Sequence, residues 1–305
     1  MIATFEELAD EAARRSRVCL VVAGAAQPAT LEAVVAARRR AVVETAVLID
    51  DRARLQGALQ SMGESSRDYE LIDADGEEAI AACAVRLAAK HPHAVLLKGS
   101  LPTDILLRAV LFGNGGLRTG RPLSDVLITT NPVAASAKIV GVTDGGVNVA
   151  PDLKKKKAII DNAVKVFHCL GFDTPKVALL CASERVSASM PHTEEAQRLV
   201  QMNDEEEIAG CVVDGPLALD NALSEEAAQK KGIDSPVAGR ADILVAPTIE
   251  AGNILGKSFR YLAASPMAHV IEGAKVPVLI PSRTESADDK FYSIALGAMR
   301  SGGEP

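Results

Sequence analysis

The sequence predicts an α/β protein built from two αβα domains with largely parallel sheets. Its 305 residues exceed the length at which one core gives way to two, roughly 250 to 300 residues. The chain is 48% hydrophobic but only 3% aromatic, so its core must consist of small and branched aliphatic side chains, which suit buried strands under closely packed helices. Short apolar runs also alternate with helix-periodic segments, which indicates βαβ units.

The candidate strands are mostly apolar throughout rather than alternating, as expected of strands covered on both faces. They lie at 18–23, 46–49, 94–98, 126–130, 138–142, 176–181, 211–213, 242–246 and 276–280. Apolar residues three and four positions apart predict helices between them. These helices lie at 77–90, 154–170, 193–202 and 289–299.

The domain boundaries follow from where the chain would cross from one sheet to the other. Asn131-Pro132 punctuates the end of a strand, and a second crossing is expected near 271–275. We therefore predict a discontinuous first domain of 1–130 plus 273–305 and a second domain of 131–272. The last strand and helix would then face a cleft between the domains, where ligands commonly bind.

Charge and composition exclude several classes of protein. The net charge of -7 argues against non-specific nucleic-acid binding, which requires an excess of Lys and Arg. The N-terminus carries Glu6 and Glu7 where a signal peptide would carry bases, and no apolar run approaches the roughly 20 residues that span a membrane. The odd number of cysteines, five, shows no metal-type pairing and indicates structural thiols in a reducing compartment. We expect a cytoplasmic protein without nucleic-acid or membrane partners.

Sequence motifs exclude several chemistries. The segment 251–258 has Ala251 where a phosphate-binding P-loop requires glycine, so we predict a helix there, with Asn253 near a ligand. The first strand lacks the glycines of a dinucleotide turn, and no histidine pattern predicts a metal site. The lysine run 154–157 favours a solvated helix face over a site for an anionic cofactor.

The segment 281–289 is the strongest candidate for chemistry. Ser282 and Arg283 follow an apolar strand directly, and a helix can begin soon afterwards. Backbone N–H groups, a serine and an arginine at such a loop can hold a phosphate. Ser282 has neither a nucleophile-elbow motif nor a nearby histidine, so we do not expect it to be a nucleophile. Asp288 and Asp289 suit a helix's first turn, where the dipole favours acids, and an acid beside a basic group is alternatively a general base.

Two further loops contain glycine beside polar residues, and each is also compatible with an ordinary turn. One is the segment 143–151, which contains Gly145, Gly146 and Asn148. The other begins at Asp214, with Gly215 and Pro216 after it.

These segments together resemble the phosphate acetyl/butyryltransferase family from about Leu96 to Ala298. The resemblance rests on 97–99, 116–120, 143–153, 175–178, 214–222, 237–244, 250–253 and 282–283, in the order that family shows. It implies two αβα domains of the isocitrate/isopropylmalate dehydrogenase-like architecture. It also implies a homodimer, no metal and no permanently bound cofactor, with CoA, acyl-CoA, phosphate and acyl phosphate as substrates.

By the same resemblance, Asp289 would deprotonate the CoA thiol, Arg283 would hold the phosphate, and Ser282 would stabilise the tetrahedral oxyanion. Arg108 is the candidate for a second anion contact. The remaining candidates for substrate binding are Asn148, Asp214 and Asn253.

The acyl group stays open at this point. Thr284-Glu285-Ser286 is nearer the butyryl branch of that family than the acetyl branch, but one methylene changes discrimination by only about 1 to 3 kcal/mol. The alternatives are a non-catalytic acyl-CoA-binding regulatory protein, a phosphate acyltransferase that uses acyl-carrier protein, and a related metal-dependent dehydrogenase. The sequence lacks the acid-rich metal pattern of the last. The direction of flux and the number of subunits also stay open.

Overall fold

The computed structural model describes residues 1–15, 17–113, 116–134 and 136–302. It divides into two compact units. The terminal unit comprises Phe5–Arg121 and Ala268–Pro305, and the central unit comprises Met1–Thr4 and Pro122–Met267.

The helices and strands are numbered in chain order. The helices are α1 Phe5–Arg15, α2 Pro28–Arg39, α3 Arg52–Ser61, α4 Glu77–Ala88, α5 Thr103–Phe112, α6 Leu153–Cys169, α7 Pro191–Asp204, α8 Leu219–Leu223, α9 Glu225–Lys230, α10 Ile249–Tyr261 and α11 Ala287–Gly302. The strands are β1 Cys19–Ala23, β2 Thr45–Asp50, β3 Glu70–Asp73, β4 Ala94–Lys98, β5 Ser124–Thr130, β6 Ile139–Thr143, β7 Lys176–Leu180, β8 Val212–Leu217, β9 Ile243–Val245, β10 Met267–Glu272 and β11 Val278–Leu279.

The terminal unit is built on strands in the order β3-β2-β1-β4-β11-β10. Strands β3, β2, β1, β4 and β11 run parallel to one another, and β10 pairs antiparallel with β11. Every residue of β1 and β4 is buried, which explains why these strands read as uninterrupted apolar runs. Helix α11 packs against α1, α2 and β4.

The central unit has the strand order β5-β6-β9-β7-β8. Strand β6 pairs antiparallel with β5 and parallel with β9, while β7 runs parallel to both β9 and β8. Phe167 of α6 lies against Phe172 with ring centroids 5.0 Å apart, and it covers Gly141 of β6, where a Cβ would lie 2.6 Å from the ring. The small residue on the strand therefore makes room for an aromatic side chain on the helix.

The α/β class with largely parallel sheets is confirmed. Two strands were not predicted. Strand β3 is half exposed and carries Glu70 and Asp73, so it lacks an apolar signature. Strand β10 occupies 267–272, where the sequence suggested the beginning of a crossing.

The compact units divide after Arg121 and after Met267. Strand β5, which we assigned to the first domain, lies in the central unit because it pairs with β6 over four consecutive positions. The domain limits at 130 and 273 stay a prediction. In the parts of the chain that the structure describes, no helix has both the length and the apolar character needed to cross a membrane.

Candidate active site

The candidate site of the terminal unit lies at the carboxyl edge of its sheet. Strands β4 and β11 run parallel, with Val278 opposite Leu96 and Leu279 opposite Leu97. Lys98, the last residue of β4, and the loop that follows β11 therefore emerge at the same edge. In open α/β sheets this edge is where ligands bind.

Glu285 organises the loop between β11 and α11. Its side chain is buried, and its Oε1 accepts a 2.7 Å hydrogen bond from the backbone N–H of Ser282. The same oxygen lies 3.7 Å from Nε2 of His269, whereas Oε2 is buried without a hydrogen-bond partner among the described residues. Lys290 of α11 also holds the loop, because its Nζ donates hydrogen bonds to the backbone carbonyls of Ser282 and Glu285.

The two loop residues predicted to bind phosphate are displayed outward by this arrangement. Ser282 is half buried, with Oγ 3.1 Å from Oγ1 of Thr284, and Arg283 is exposed. The loop backbone is held by buried charged groups while Ser282 and Arg283 remain accessible to an incoming anion.

Asp289 lies in the first turn of α11 and is only 2% exposed. Oγ of Ser286 accepts a hydrogen bond from the backbone N–H of Asp289 and donates to Oδ2 of the same residue, at 3.1 and 2.7 Å. This exchange resembles a capping box, so Asp289 stabilises the start of the helix. Asp288, which we interpreted as the helix-terminus acid, is exposed. The catalytic roles of Ser282, Arg283 and Asp289 stay predictions.

Lys98 is the charged group that sequence reasoning missed. Its side chain is 3% exposed, and the pKa of its amine is lowered to about 8, mainly by burial and then by the charges of Arg283 and Lys290, against which Glu285 raises it. Burial also lowers the pKa of Lys290. The available signal was a lysine at the end of an otherwise apolar strand, followed by Gly99, where a Cβ would overlap the carbonyl oxygen of Gly24.

Arg108 lies on α5 with a side chain that is 69% exposed. Its guanidinium is 3.4 Å from Oδ2 of Asp104, one helical turn earlier. This is a solvated surface pair of the kind that contributes little to stability. The structure therefore leaves the guanidinium open to solvent, and its predicted contact with an anion is untested.

In the central unit, the structure brings Asn148 and Asn253 to one loop, 144–148. Nδ2 of Asn148 donates to Oδ2 of Asp144 and to the carbonyl of Leu123, at 2.6 and 2.7 Å. Nδ2 of the exposed Asn253 donates to the carbonyl of Gly145 at 3.0 Å. Asn253 thus holds the loop backbone, and Asn148 ties the loop to Asp144 and to Leu123.

Asp144 is the anchor of that loop. Its carboxylate accepts hydrogen bonds from the backbone N–H groups of Gly146, Val147 and Asn148. Burial raises its pKa, and the neighbouring Asp125 raises it further. Gly252 of α10 packs so closely here that a Cβ would overlap the carbonyl oxygen of Asp144. Asp144 is therefore a structural acid whose hydrogen bonds fix the loop.

Asp214 does not join this group. It lies on β8, and its Oδ1 accepts a 2.7 Å hydrogen bond from the backbone N–H of Gly215. Strands β9 and β7 separate β8 from β6, which corresponds to three strand spacings or roughly 14 Å. Its predicted part in substrate binding stays a prediction.

The lysine run at the start of α6 is only partly a solvated face. Lys154 and Lys155 are exposed, but Lys156 is buried and contacts Glu195 and His192, with Nζ 3.3 Å from Nδ1 of the histidine. The prediction was wrong for Lys156 because helical periodicity turns one residue of four consecutive lysines inward.

Lys156 borders a pocket of about 230 Å³ that includes open solvent, at the ends of β7 and β9. Cys181 also lines this pocket, and burial raises the pKa of its thiol to about 11, so it is protonated at neutral pH. No cluster of three or more His, Cys, Asp or Glu side chains suited to a metal ion occurs in the described ranges of the chain.

The fold and the site together define the class. The structure places buried Lys98 and the loop with Ser282 and Arg283 at the carboxyl edge of a largely parallel sheet, where α/β proteins bind their ligands. The model of the family described as phosphate acetyl/butaryl transferase matches residues 95–298. The chain belongs to this family, and the resemblance drawn from its motifs is confirmed.

Individual relatives match most of the chain. A probable phosphate butyryltransferase of Bacillus subtilis (strain 168) is 44% identical, with 84% of each chain covered. The phosphate acetyltransferase of Thermotoga maritima is 41% identical over 97% of this chain and 99% of the relative.

Solved structures agree. A branched-chain phosphotransacylase from Enterococcus faecalis V583 matches with a TM-score of 0.83 and 33% identity, covering 93% of this chain and 99% of that one. A 4-hydroxythreonine-4-phosphate dehydrogenase from Klebsiella pneumoniae matches at 12% identity with a TM-score of 0.57, covering 94% of this chain and 100% of that one. The second likeness concerns the fold alone, and it confirms the dehydrogenase-like architecture.

Proposed function

We propose that this protein is an acyltransferase that moves a short-chain acyl group reversibly between CoA and inorganic phosphate. The observation that carries the proposal is the loop after β11, where Ser282 and Arg283 are held outward by buried Glu285 and Lys290 in a chain of the phosphate acetyl/butaryl transferase family. An arginine held in this way binds a phosphate group through charge-assisted hydrogen bonds.

In the proposed reaction, Asp289 removes the proton from the CoA thiol and the thiolate attacks the carbonyl carbon of the acyl phosphate. A C–S bond forms and the C–O bond to phosphate breaks, with the electron pair remaining on the phosphate oxygen, which takes up the proton. Ser286 supports this role because its hydroxyl orients the carboxylate of Asp289. A positioned base contributes about 100- to 10,000-fold to the rate.

Arg283 stabilises the negative charge that grows on the departing phosphate, and Ser282 donates to the oxyanion of the tetrahedral intermediate. Arg108 attracts the anionic substrates from an exposed position on α5. Asn148 and Asn253 contribute by shaping the loop at 144–148, and Asp214 stays the least supported of the substrate contacts. Homodimer formation, a cytoplasmic location and the absence of a resident cofactor stay predictions.

The acyl group is the open part of the proposal. The relatives include both acetyl- and butyryltransferases, and the similar Enterococcus structure is that of a branched-chain phosphotransacylase. A series of acetyl-, propionyl-, butyryl- and isobutyryl-CoA, each assayed with phosphate, ranks these choices by kcat/KM.

The test of the function is phosphate-dependent release of free CoA thiol from each acyl-CoA, followed with a thiol reagent. We expect release that requires phosphate and falls at least 100-fold in Arg283→Met. If no acyl-CoA of the series gives phosphate-dependent thiol release, the proposal fails. Acyl-CoA binding without turnover would favour a non-catalytic regulatory protein. Turnover with acylated acyl-carrier protein but not with acyl-CoA would favour a phosphate acyltransferase that uses the carrier protein.

A further inference from the structure

We infer that Lys98 is a second cationic contact for the phosphate group, acting together with Arg283 at the carboxyl edge of the terminal sheet. The inference rests on the proposed function and concerns how the site distinguishes phosphate from other anions. It assigns a binding role to a residue that the motifs alone left without one.

The position of Lys98 follows from strand register. Lys98 continues β4 beyond Leu97, which lies opposite Leu279, and Ser282 and Arg283 follow β11 three and four residues after Leu279. The backbone at Lys98 is tightly fixed, because Gly99 N–H donates to the carbonyl of Ala23 at 2.8 Å and a Cβ at Gly99 would overlap the next carbonyl. Lys98 is thus a charged group on a rigid element rather than on a mobile loop.

In the part of the chain that the structure describes, the amine of Lys98 is buried without an ion-paired carboxylate to balance its charge. The side chain of Lys98 is 3% exposed, and its Nζ makes one long hydrogen bond, 3.4 Å, to the carbonyl of Gly99. Within the described residues, no carboxylate forms an ion pair with Lys98. Buried amines are usually paired, because a charge removed from water is costly unless another group compensates it.

The local charge balance favours an anion. The charged groups that act on Lys98 are Arg283, Lys290 and Glu285, two cations and one acid. Glu285 is already engaged with the backbone N–H of Ser282 and lies near His269. The arrangement therefore carries excess positive charge, which a phosphate placed beside Ser282 and Arg283 would neutralise.

Phosphate has the shape that such an arrangement requires. Its oxygens point in several directions, so one can be gripped by the guanidinium of Arg283 while another accepts from the ammonium of Lys98. The pKa of Lys98, about 8, then predicts that the contact is lost in mildly alkaline solution unless phosphate raises that pKa by binding.

The experiment compares wild type, Lys98→Met, Lys98→Arg and the control Lys90→Met, which removes an exposed lysine of the same unit. The KM for phosphate is measured in the thiol-release direction between pH 6.5 and 9.5. At pH 7 we expect Lys98→Met to raise the KM for phosphate about ten- to a hundredfold, which is the factor expected for the loss of one hydrogen bond to a charged group. The KM for acyl-CoA should change less than twofold, and the control should match wild type.

The pH profile tests the charge itself. Lys98→Arg keeps a cation that does not titrate in this range, whereas the Lys98 amine loses its proton above about pH 8. The ratio of the wild-type KM for phosphate to that of Lys98→Arg should therefore rise above about pH 8, approaching tenfold per pH unit. The titration of phosphate itself is common to both proteins and cancels in this ratio.

Each outcome decides one question. Absence of phosphate-dependent activity in wild type removes the proposed function. An active wild type in which Lys98→Met leaves the KM for phosphate within twofold overturns this inference alone. The inference is also overturned if the KM of Lys98→Arg for phosphate rises with pH in parallel with that of wild type. This second variant decides the question if Lys98→Met does not fold.

Discussion

Replacing Lys98 by Met should make the protein more stable at neutral pH while impairing its proposed phosphate site. The amine has a pKa of about 8 in the folded protein against an ordinary value of 10.5. Keeping it protonated inside the fold at pH 7 therefore costs about 3 kcal/mol relative to the unfolded chain. Methionine has a similar length and carries no charge, so Lys98→Met should raise the free energy of unfolding by about that amount.

The sign of the pH dependence is fixed by the direction of the shift. At pH 7 the lysine is protonated in both states, so the full penalty applies to wild type. Between about pH 8 and 10.5 the folded lysine is neutral while the unfolded one still binds its proton, so wild-type stability gains on the variant as pH rises. Near pH 10.5 the two proteins should differ little.

The assay is urea unfolding of wild type, Lys98→Met and the surface control Lys90→Met at pH 7, 8.5 and 10. Other groups titrate over this range, but they are common to the three proteins and cancel in the differences. An advantage of Lys98→Met that stays constant with pH, or a variant less stable than wild type at pH 7, would refute the reasoning. The control should lie within about 0.5 kcal/mol of wild type throughout.

Three further predictions concern other parts of the chain. Asp289→Asn should lower kcat at least 100-fold yet reduce the unfolding free energy by no more than about 1 kcal/mol, because the amide oxygen still accepts the cap hydrogen bond; full activity by stopped assay would exclude Asp289 as the base. Gly252→Ala should destabilise by about 1 to 3 kcal/mol in urea unfolding, because its Cβ would overlap the carbonyl of Asp144, and a neutral result would contradict that close approach. Lys156→Met should cost about 1 to 3 kcal/mol in urea unfolding, because it leaves the half-buried carboxylate of Glu195 with only His192 as its charged partner among the described residues. The double variant with Glu195→Leu should recover much of this loss, and no recovery would mean that the pair is not the cause.

Much of the fold was predictable because parallel strands buried on both faces leave a direct signature. The strand predicted at 94–98 has the same bounds as β4, and the helix expected at 154–170 begins and ends one residue earlier. Strand β3 was missed because it lies at the end of the sheet and mixes acids with apolar residues. Strand β10 was missed because it pairs antiparallel with β11, and the sequence alone does not locate the turn that joins these two strands.

The site was predictable only in part. Ser282 and Arg283 are marked by their place after an apolar strand, and the structure puts them on such a loop. The charged groups that act on Lys98 and the contact of Glu285 with His269 come from parts of the chain that are distant in sequence, so no local pattern reports them. At Asp214 the turn expected from Gly215 and Pro216 is present, with the carboxylate accepting from the backbone N–H of Gly215, and the predicted part of Asp214 in substrate binding stays a prediction.

The reciprocal contact between Ser286 and Asp289 ties the chemistry to the helix that bears it. On the proposed mechanism, the carboxylate that fastens the first turn of α11 is also the one that carries the thiol's proton. In each turnover the Asp289 carboxylate, which accepts the hydrogen bond of Ser286, would briefly become a neutral carboxylic acid in the first turn of the helix. The proposed base is therefore also a residue on which the start of its own helix depends, and a change at Ser286, which contacts no reacting atom in this scheme, should disturb both the helix and the base.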